Sequence, residues 1–211
     1  MSVFLHSLEM PNSDLLEVIE AEALEAYVPI IKKETQSFLK TLLSIQKPMR
    51  VLEIGAAVGF SAILMSEHID AKATITTIEK YEPRIPIARG NFLRAGKEKQ
   101  ITLIEGDALE VLQQLEGDYD FIFLDAAKGQ YLTYLPEILR LLPPNGVLIS
   151  DNVLQEGELL ESKFVVDRRN RTIHARMREY LYELKHSKLL QTSIIPLGDG
   201  VALSVKMKEG F

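Results

Sequence analysis

Apolar positions along the chain follow two different periods, and the change comes near residue 50. Before it, residues 15–28 and 34–45 repeat their apolar side chains at helical spacing, with Asn12 and Ser13 placed as N-caps for the first run. From residue 50 onward short β-branched or apolar runs appear at 50–54, 73–78, 101–104, 119–124 and 146–150. They alternate with segments of helical period at 60–69, 82–95, 107–115 and 130–142, the rhythm of a parallel sheet whose right-handed crossovers place helices on both faces. A last helix is predicted over about 168–186. Two strand-like runs follow, 189–196 and 201–207, around Gly198-Asp199-Gly200, a turn sequence suited to a hairpin. The expected fold is α/β and doubly wound, a seven-stranded, mostly parallel sheet with an antiparallel C-terminal strand at its end. One domain over 1–211 is expected, with a helical annex at 1–48 and a Rossmann-like core at 49–211.

Composition narrows the class. The 211 residues are 46% apolar and 26% charged, enough to bury a two-sided core. Absence of cysteine excludes a disulfide framework and thiolate chemistry, and no leader sequence or membrane-spanning run is visible, so a cytoplasmic protein that does not enter a membrane is expected. The net charge of −6 gives no general attraction for polyanions, so any nucleic-acid contact has to come from a local patch.

Ligands of open α/β sheets bind beyond the carboxyl ends of the strands. The first such turn reads Glu53-Ile54-Gly55-Ala56-Ala57-Val58-Gly59-Phe60-Ser61. Gly55 and Gly59 let backbone approach a ligand closely, and Ser61 stands at the start of a helix whose free N–H groups attract an anion such as a carboxylate. The G-x-x-x-G spacing is not the G-x-G-x-x-G of dinucleotide folds, which argues against a pyrophosphate loop and against a nicotinamide oxidoreductase. Glu79 ends the second strand, where an acid accepts hydrogen bonds from ribose hydroxyls; it reads equally as a solvated acid. Asp107, in the Glu105-Gly106-Asp107-Ala108 turn, is placed to reach an adenine amino group, to cap the next helix, or both.

The fourth strand ends in Asp125-Ala126-Ala127-Lys128 and the fifth in Ser150-Asp151-Asn152. Neighbouring strands lie about 4.8 Å apart, so Asp125, Asp151 and Asn152 are able to meet beyond the sheet. Two carboxylates and an amide oxygen are hard ligands that suit Mg²⁺ better than zinc, although each residue alone also fits a turn or cap.

These segments, Glu53-Ile54-Gly55 with Gly59-Phe60-Ser61, Tyr119 to Lys128, Asp151-Asn152 and Pro196-Leu197-Gly198-Asp199-Gly200, resemble the metal-dependent O-methyltransferases of the catechol and caffeoyl-CoA kind. The likeness covers about residue 30 to the end. It implies S-adenosylmethionine as cofactor and Mg²⁺ or another divalent cation held by Asp125, Asp151 and Asn152, with Lys128 and Asp125 as the catalytic pair. It also implies cofactor contacts at Ile31, Glu53, Gly55, Ser61, Glu79, Asp107, Ala108 and Asp125. The sequence departs from the family between Asp125 and Lys128, where alanines stand in place of an acid or a bulky residue. The implied chemistry is methyl transfer to a hydroxyl oxygen whose proton is made easier to lose by a divalent cation.

Between Lys163 and Lys188 there are eight lysines or arginines, among them Arg168, Arg169, Arg171, Arg176 and Arg178. Such a run inside an acidic protein reads either as a phosphate-binding rim or as a solvated helix face. His174 lies within it with no second histidine at ligand spacing, so it reads as an exposed or packed side chain. Together with Arg84-Ile85-Pro86-Ile87-Ala88, the run is similar to the bacterial branch of the family that methylates 5-hydroxyuridine at the tRNA wobble position. That resemblance implies a tRNA anticodon loop as substrate, with Arg168, Arg169, Arg171 and Arg176 on its rim, and a homodimer. A small catechol or phenol is the rival acceptor. A cofactor-binding regulatory module is the non-enzymatic alternative, disfavoured because it needs neither Lys128 nor an open metal site.

Overall fold

A computed structural model describes Phe4, residues 7–162 and residues 166–208. The chain divides into two compact units, one running to Asp107 and the other from Ala108. The first contains α1 (Asp14–Glu25), α2 (Lys33–Gln46), β1 (Arg50–Ile54), α3 (Phe60–Glu67), β2 (Thr74–Glu79), α4 (Ile85–Arg94) and β3 (Ile101–Glu105). The second contains α5 (Ala108–Gln114), β4 (Phe121–Leu124), α6 (Tyr131–Leu141), β5 (Val147–Ser150), α7 (Arg171–His186), β6 (Leu190–Ile195) and β7 (Val201–Lys206). Short 3₁₀ segments at Lys128–Gln130 and Gln155–Leu160 follow β4 and β5.

The strands form a seven-stranded sheet in the order β3-β2-β1-β4-β5-β7-β6, with β7 antiparallel to both of its neighbours. This is the expected doubly wound α/β fold. The antiparallel strand differs in one respect from the expectation: it lies inside the sheet, between β5 and β6, and not at its end. The burial pattern of β6 gives the physical reason, because Leu190 to Ser193 alternate buried and exposed as an edge strand does, while Val201 and Ala202 of β7 are both buried.

In the first unit, α1 is capped by Ser13, whose Oγ accepts the Leu16 N–H at 3.4 Å, while the Asn12 amide holds Gln36 on α2 at 2.9 Å. Glu20, Lys33 and Gln36 link α1 to α2 through bonds of 2.5 and 3.2 Å. Helix α3 is buried on seven of its eight residues, as expected of a helix packed on all sides. In the second unit β4 and β5 are buried throughout, which is why their sequences are continuous apolar runs and not alternating ones. Helix α7 turns His174, Met177, Tyr180, Leu181 and Leu184 inward and its arginines outward. It begins at Arg171 and not at 168, because residues 168–170 form a turn that ends in Asn170 as cap.

Candidate active site

In the first unit the loop after β1 is fastened at three places. The N–H groups of Gly55 and Ala56 both donate to the Ile78 carbonyl at 3.0 Å, and Asn91 of α4 donates through its side-chain nitrogen to the Val58 carbonyl at 2.9 Å. The third fastening is Glu79. Its Oε2 accepts from Ala57 N at 2.8 Å, and its Oε1 accepts from Lys80 N at 2.9 Å and Tyr81 N at 2.8 Å. Ala57 has a φ of 46°, a left-handed conformation that costs an L-residue about 1–2 kcal/mol, and the carboxylate bonded to its N–H offsets part of that cost. Glu79 is therefore not the freely solvated acid that its sequence position also allowed; it is half-buried and shapes the loop. Gly59 caps α3 with a φ of 83°, and a Cβ there would collide with the Phe92 ring.

Beneath this loop Glu53 is fully buried. Ser61 Oγ donates to its Oε1 at 2.5 Å and Thr77 Oγ1 donates to its Oε2, so both carboxylate oxygens are engaged. Burial pushes Glu53 up to about 7, and the nearby Glu79 charge acts in the same direction, against the two hydroxyl bonds. The hydroxyl of Ser61 is thus turned toward Glu53, and the residue itself is buried in the first turn of α3. Thr77 has no conspicuous sequence signal. It is the register partner of Glu53 across β1 and β2, and only strand pairing reveals it. Ile31 is buried, and its carbonyl accepts from Gln36 Nε2 at 2.9 Å. Asp107 ends this unit, 3.3 Å from Lys80 Nζ in an exposed ion pair, and Ala108, buried, opens α5 immediately after it.

In the second unit Asp125 follows β4 and Asp151 follows β5, strands paired in parallel register from Phe121 with Val147 to Leu124 with Ser150. Asp151 N donates to the Leu124 carbonyl at 3.0 Å, which carries the pairing one residue past the strands. The Asp151 side chain is buried; its Oδ1 accepts from Asn152 N at 2.8 Å, and its Oδ2 has no hydrogen-bond partner among the described residues. Burial first, then the Asp125 carboxylate and more weakly that of Asp199, push Asp151 up to about 7, while Lys128 opposes the shift. Asp125, Asp199 and Lys128 therefore each act electrostatically on Asp151. Asn152 sits at a φ of 56° and donates from Nδ2 to Asp199 Oδ2 at 3.3 Å.

Among the described residues no group of three or more His, Cys, Asp or Glu side chains gathers as a metal-binding cluster. The expected ligand set has two carboxylates and one amide, and the unsatisfied buried oxygen of Asp151 is the feature of it that fits a cation. Sequence reading did not single out Tyr131. Its hydroxyl lies 3.3 Å from the Leu124 carbonyl, 3.1 Å from that of Asp151 and 3.3 Å from Ala126 N, which joins the ends of β4 and β5. Tyr180 packs edge-on against its ring, with centroids 5.4 Å apart, and reaches Ser150 Oγ at 2.6 Å.

The basic run is divided in its roles. Arg168 and Arg169 are exposed, Arg169 lying 3.7 Å from Asp167. Arg171 Nε donates to the Val166 carbonyl at 3.1 Å, Arg176 Nη1 to Gly129 at 3.0 Å, and Arg178 Nε to Leu159 at 3.1 Å. His174 is buried, with Nε2 3.2 Å from the Glu161 carbonyl, the packed alternative of the two expected for it. Lys163 lies outside the described residues. No helix among the described residues is long and apolar enough to cross a membrane.

Residues 6–207 match the O-methyltransferase family. A catechol O-methyltransferase of Niastella koreensis is 33% identical over 144 residues, 65% of this chain and 65% of that protein. The catechol O-methyltransferase of Mycobacterium tuberculosis is 31% identical over 163 residues, 76% of this chain and 74% of that protein. Among solved structures, an O-methyltransferase from Bacillus cereus in complex with SAH superposes with a TM-score of 0.85 at 26% identity, over 96% of this chain and 95% of that one.

Proposed function

The chain belongs to the O-methyltransferase family and is an S-adenosylmethionine-dependent O-methyltransferase; from that premise we propose that it is also metal-dependent and methylates a hydroxyl that has a second oxygen beside it. The observation that carries this reading is Asp151 Oδ2, buried beside the Asp125 charge without a hydrogen-bond partner among the described residues. An orphaned carboxylate oxygen costs about 1–3 kcal/mol or more, and a divalent cation removes that cost.

Asp125, Asp151 and Asn152 are the residues that would hold the cation, and Glu79, the fastened 55–59 loop and Asp107 those that would hold the cofactor. A divalent cation supplies Lewis acidity that makes the acceptor hydroxyl easier to deprotonate, and S-adenosylmethionine supplies a methyl group already activated on a sulfonium. Lys128 stands to hold the hydroxyl proton, as the positive group that acts on Asp151. The remaining work of the protein is alignment, so the rigid strand ends and fastened loops matter more than further chemistry.

For the acceptor we infer 5-hydroxyuridine at the wobble position of tRNA. Its 5-hydroxyl and 4-carbonyl form a chelating pair, and an anticodon loop presents an unstacked base. The exposed Arg168 and Arg169 support this reading as phosphate contacts. A small catechol is the second reading, supported by the relatives named for that activity. Purified protein with labelled cofactor should methylate tRNA carrying 5-hydroxyuridine, lose activity with a chelator, regain it with Mg²⁺ and lose it in Asp151→Ala. Full turnover in excess chelator rejects the metal, and turnover of catechol with none on tRNA transfers the acceptor to the second reading.

A further inference from the structure

The loop that carries Asn152 is clasped by the β6–β7 hairpin. Val153 N donates to the Gly200 carbonyl and Leu154 N to the Asp199 carbonyl, both at 2.9 Å. Gly200 is held at a φ of 87°, and a Cβ there would collide with Leu154, so the two loops approach as closely as backbone allows. Two hairpin residues are thereby placed by their main chains, and one of them, Asp199, turns its Oδ2 to Asn152 Nδ2 at 3.3 Å. A side-chain amide has one donating and one accepting end. With the nitrogen on a carboxylate that only accepts, the oxygen must face the other way.

We propose that Asp199 is a positioning residue for the metal site: it fixes the flip of the Asn152 amide so that Oδ1, and not Nδ2, is presented as a ligand. The inference rests on the metal reading above and adds a residue to it. Asn152 alone does not determine its own orientation, since either end of the amide fits the same volume. A flipped amide presents N–H hydrogens to a cation and removes one ligand from it. Partners of this kind behind a ligand typically change metal affinity 10–100-fold.

Charge and orientation are separable at this position. Asp199→Asn removes the charge but keeps an oxygen able to accept from Asn152. Asp199→Glu keeps the charge but moves the carboxylate out on a longer arm from a backbone that the hairpin holds still. The experiment is Mn²⁺ binding to the full-length protein alone, without cofactor or acceptor, followed by calorimetry and by the water-proton relaxivity of the bound ion. Asp199→Glu should bind Mn²⁺ at least tenfold more weakly, with higher relaxivity per bound ion because water replaces the lost ligand. Asp199→Asn should stay within a few-fold of wild type. Should the glutamate variant fail to fold, Asp199→Ala replaces it, with the same expected loss and rise in relaxivity. Wild-type affinity in Asp199→Glu, or a larger loss in Asp199→Asn than in Asp199→Glu, overturns the proposal and leaves Asp199 only a charge near the site. If the wild type takes up no Mn²⁺, the metal reading itself fails, and the role of Asp199 with it.

Discussion

The hydroxyl of Tyr131 lies 3.1 Å from the carbonyl oxygen of Asp151, which places a helix side chain directly behind the loop that carries an expected metal ligand. The same oxygen lies 3.3 Å from the Leu124 carbonyl, so it is within donating reach of the ends of both β4 and β5. Burial, reinforced by the charges of Asp125 and Asp151, holds the phenol well above its ordinary ionisation range, so it stays a donor at any working pH. Tyr131→Phe removes the one O–H that these two carbonyls share and the acceptor of the Ala126 N–H, while the Leu124 carbonyl keeps the Asp151 N–H. That should cost about 1–3 kcal/mol in urea unfolding, and the Mg²⁺ concentration for half-maximal turnover should rise. An unchanged unfolding midpoint together with unchanged Mg²⁺ dependence would show that the backbone pairing alone holds the two strand ends.

Glu53 predicts a stability profile of unusual sign for a carboxylate. Its folded value of about 7 lies above the ordinary 4.5, so between those values the folded protein binds more protons than the unfolded chain. Stability is then fully present below about pH 4.5, falls as pH rises, and levels off above about pH 7. At about 1.4 kcal/mol per pH unit across that gap, the contribution is about 3 kcal/mol. Glu53→Gln keeps a neutral group between Ser61 and Thr77, and it should flatten this slope and be more stable than wild type at pH 8. Parallel unfolding curves of wild type and variant from pH 5 to pH 8 would remove Glu53 as the cause.

What the sequence discloses is uneven, for physical reasons. Strand β1 is found at the residues its pattern marks, and β4 and β5 within two; the latter pair, buried throughout, are largely apolar runs followed by acids. The expected metal residues are legible for the same reason: Asp125 and Asp151 are the first charges after such runs. Tyr131 and Thr77 are not, since one reads as an ordinary aromatic on a helix and the other as an ordinary β-branched strand residue. Their roles come from lateral register, Glu53 opposite Thr77 and Leu124 opposite Ser150, which a linear pattern does not contain. The sequence predicts the start of α7 three residues early because 168–170 carry arginines and an asparagine, with no apolar residue to mark the period.

Glu79 carries a prediction that sequence position alone would reverse. A solvated acid could be deleted with little effect on the protein without cofactor. Here the carboxylate accepts three backbone N–H groups, one of them from the left-handed Ala57. Glu79→Ala should therefore lower the thermal midpoint of the cofactor-free protein, by about 1.5–3 kcal/mol of stability, as well as weaken cofactor binding in calorimetry. Loss of affinity with an unchanged midpoint would mean that the loop keeps its shape without Glu79 and that the acid acts only on the ligand.

The arginines of the basic run should separate into two classes. Arg168 and Arg169 are exposed ahead of α7, whereas Arg176 donates to the carbonyl of Gly129, the residue next to Lys128. If phosphate contact is the role of the first pair, Arg168→Ala with Arg169→Ala should weaken tRNA binding. It should also flatten the log–log salt dependence by up to about two units, at roughly one per contact, and leave catechol turnover, if there is any, unchanged. Arg176→Ala should behave differently, because the group it holds is the turn that presents Lys128. Turnover should fall on tRNA and catechol by the same factor, with the salt slope and the Michaelis constant for tRNA close to wild type. A salt slope lowered by Arg176→Ala, with catechol turnover intact, would return that residue to the phosphate rim. An effect of neither the Arg168 and Arg169 pair nor Arg176 on tRNA affinity would leave the run a solvated helix face and weigh the acceptor toward a small phenol.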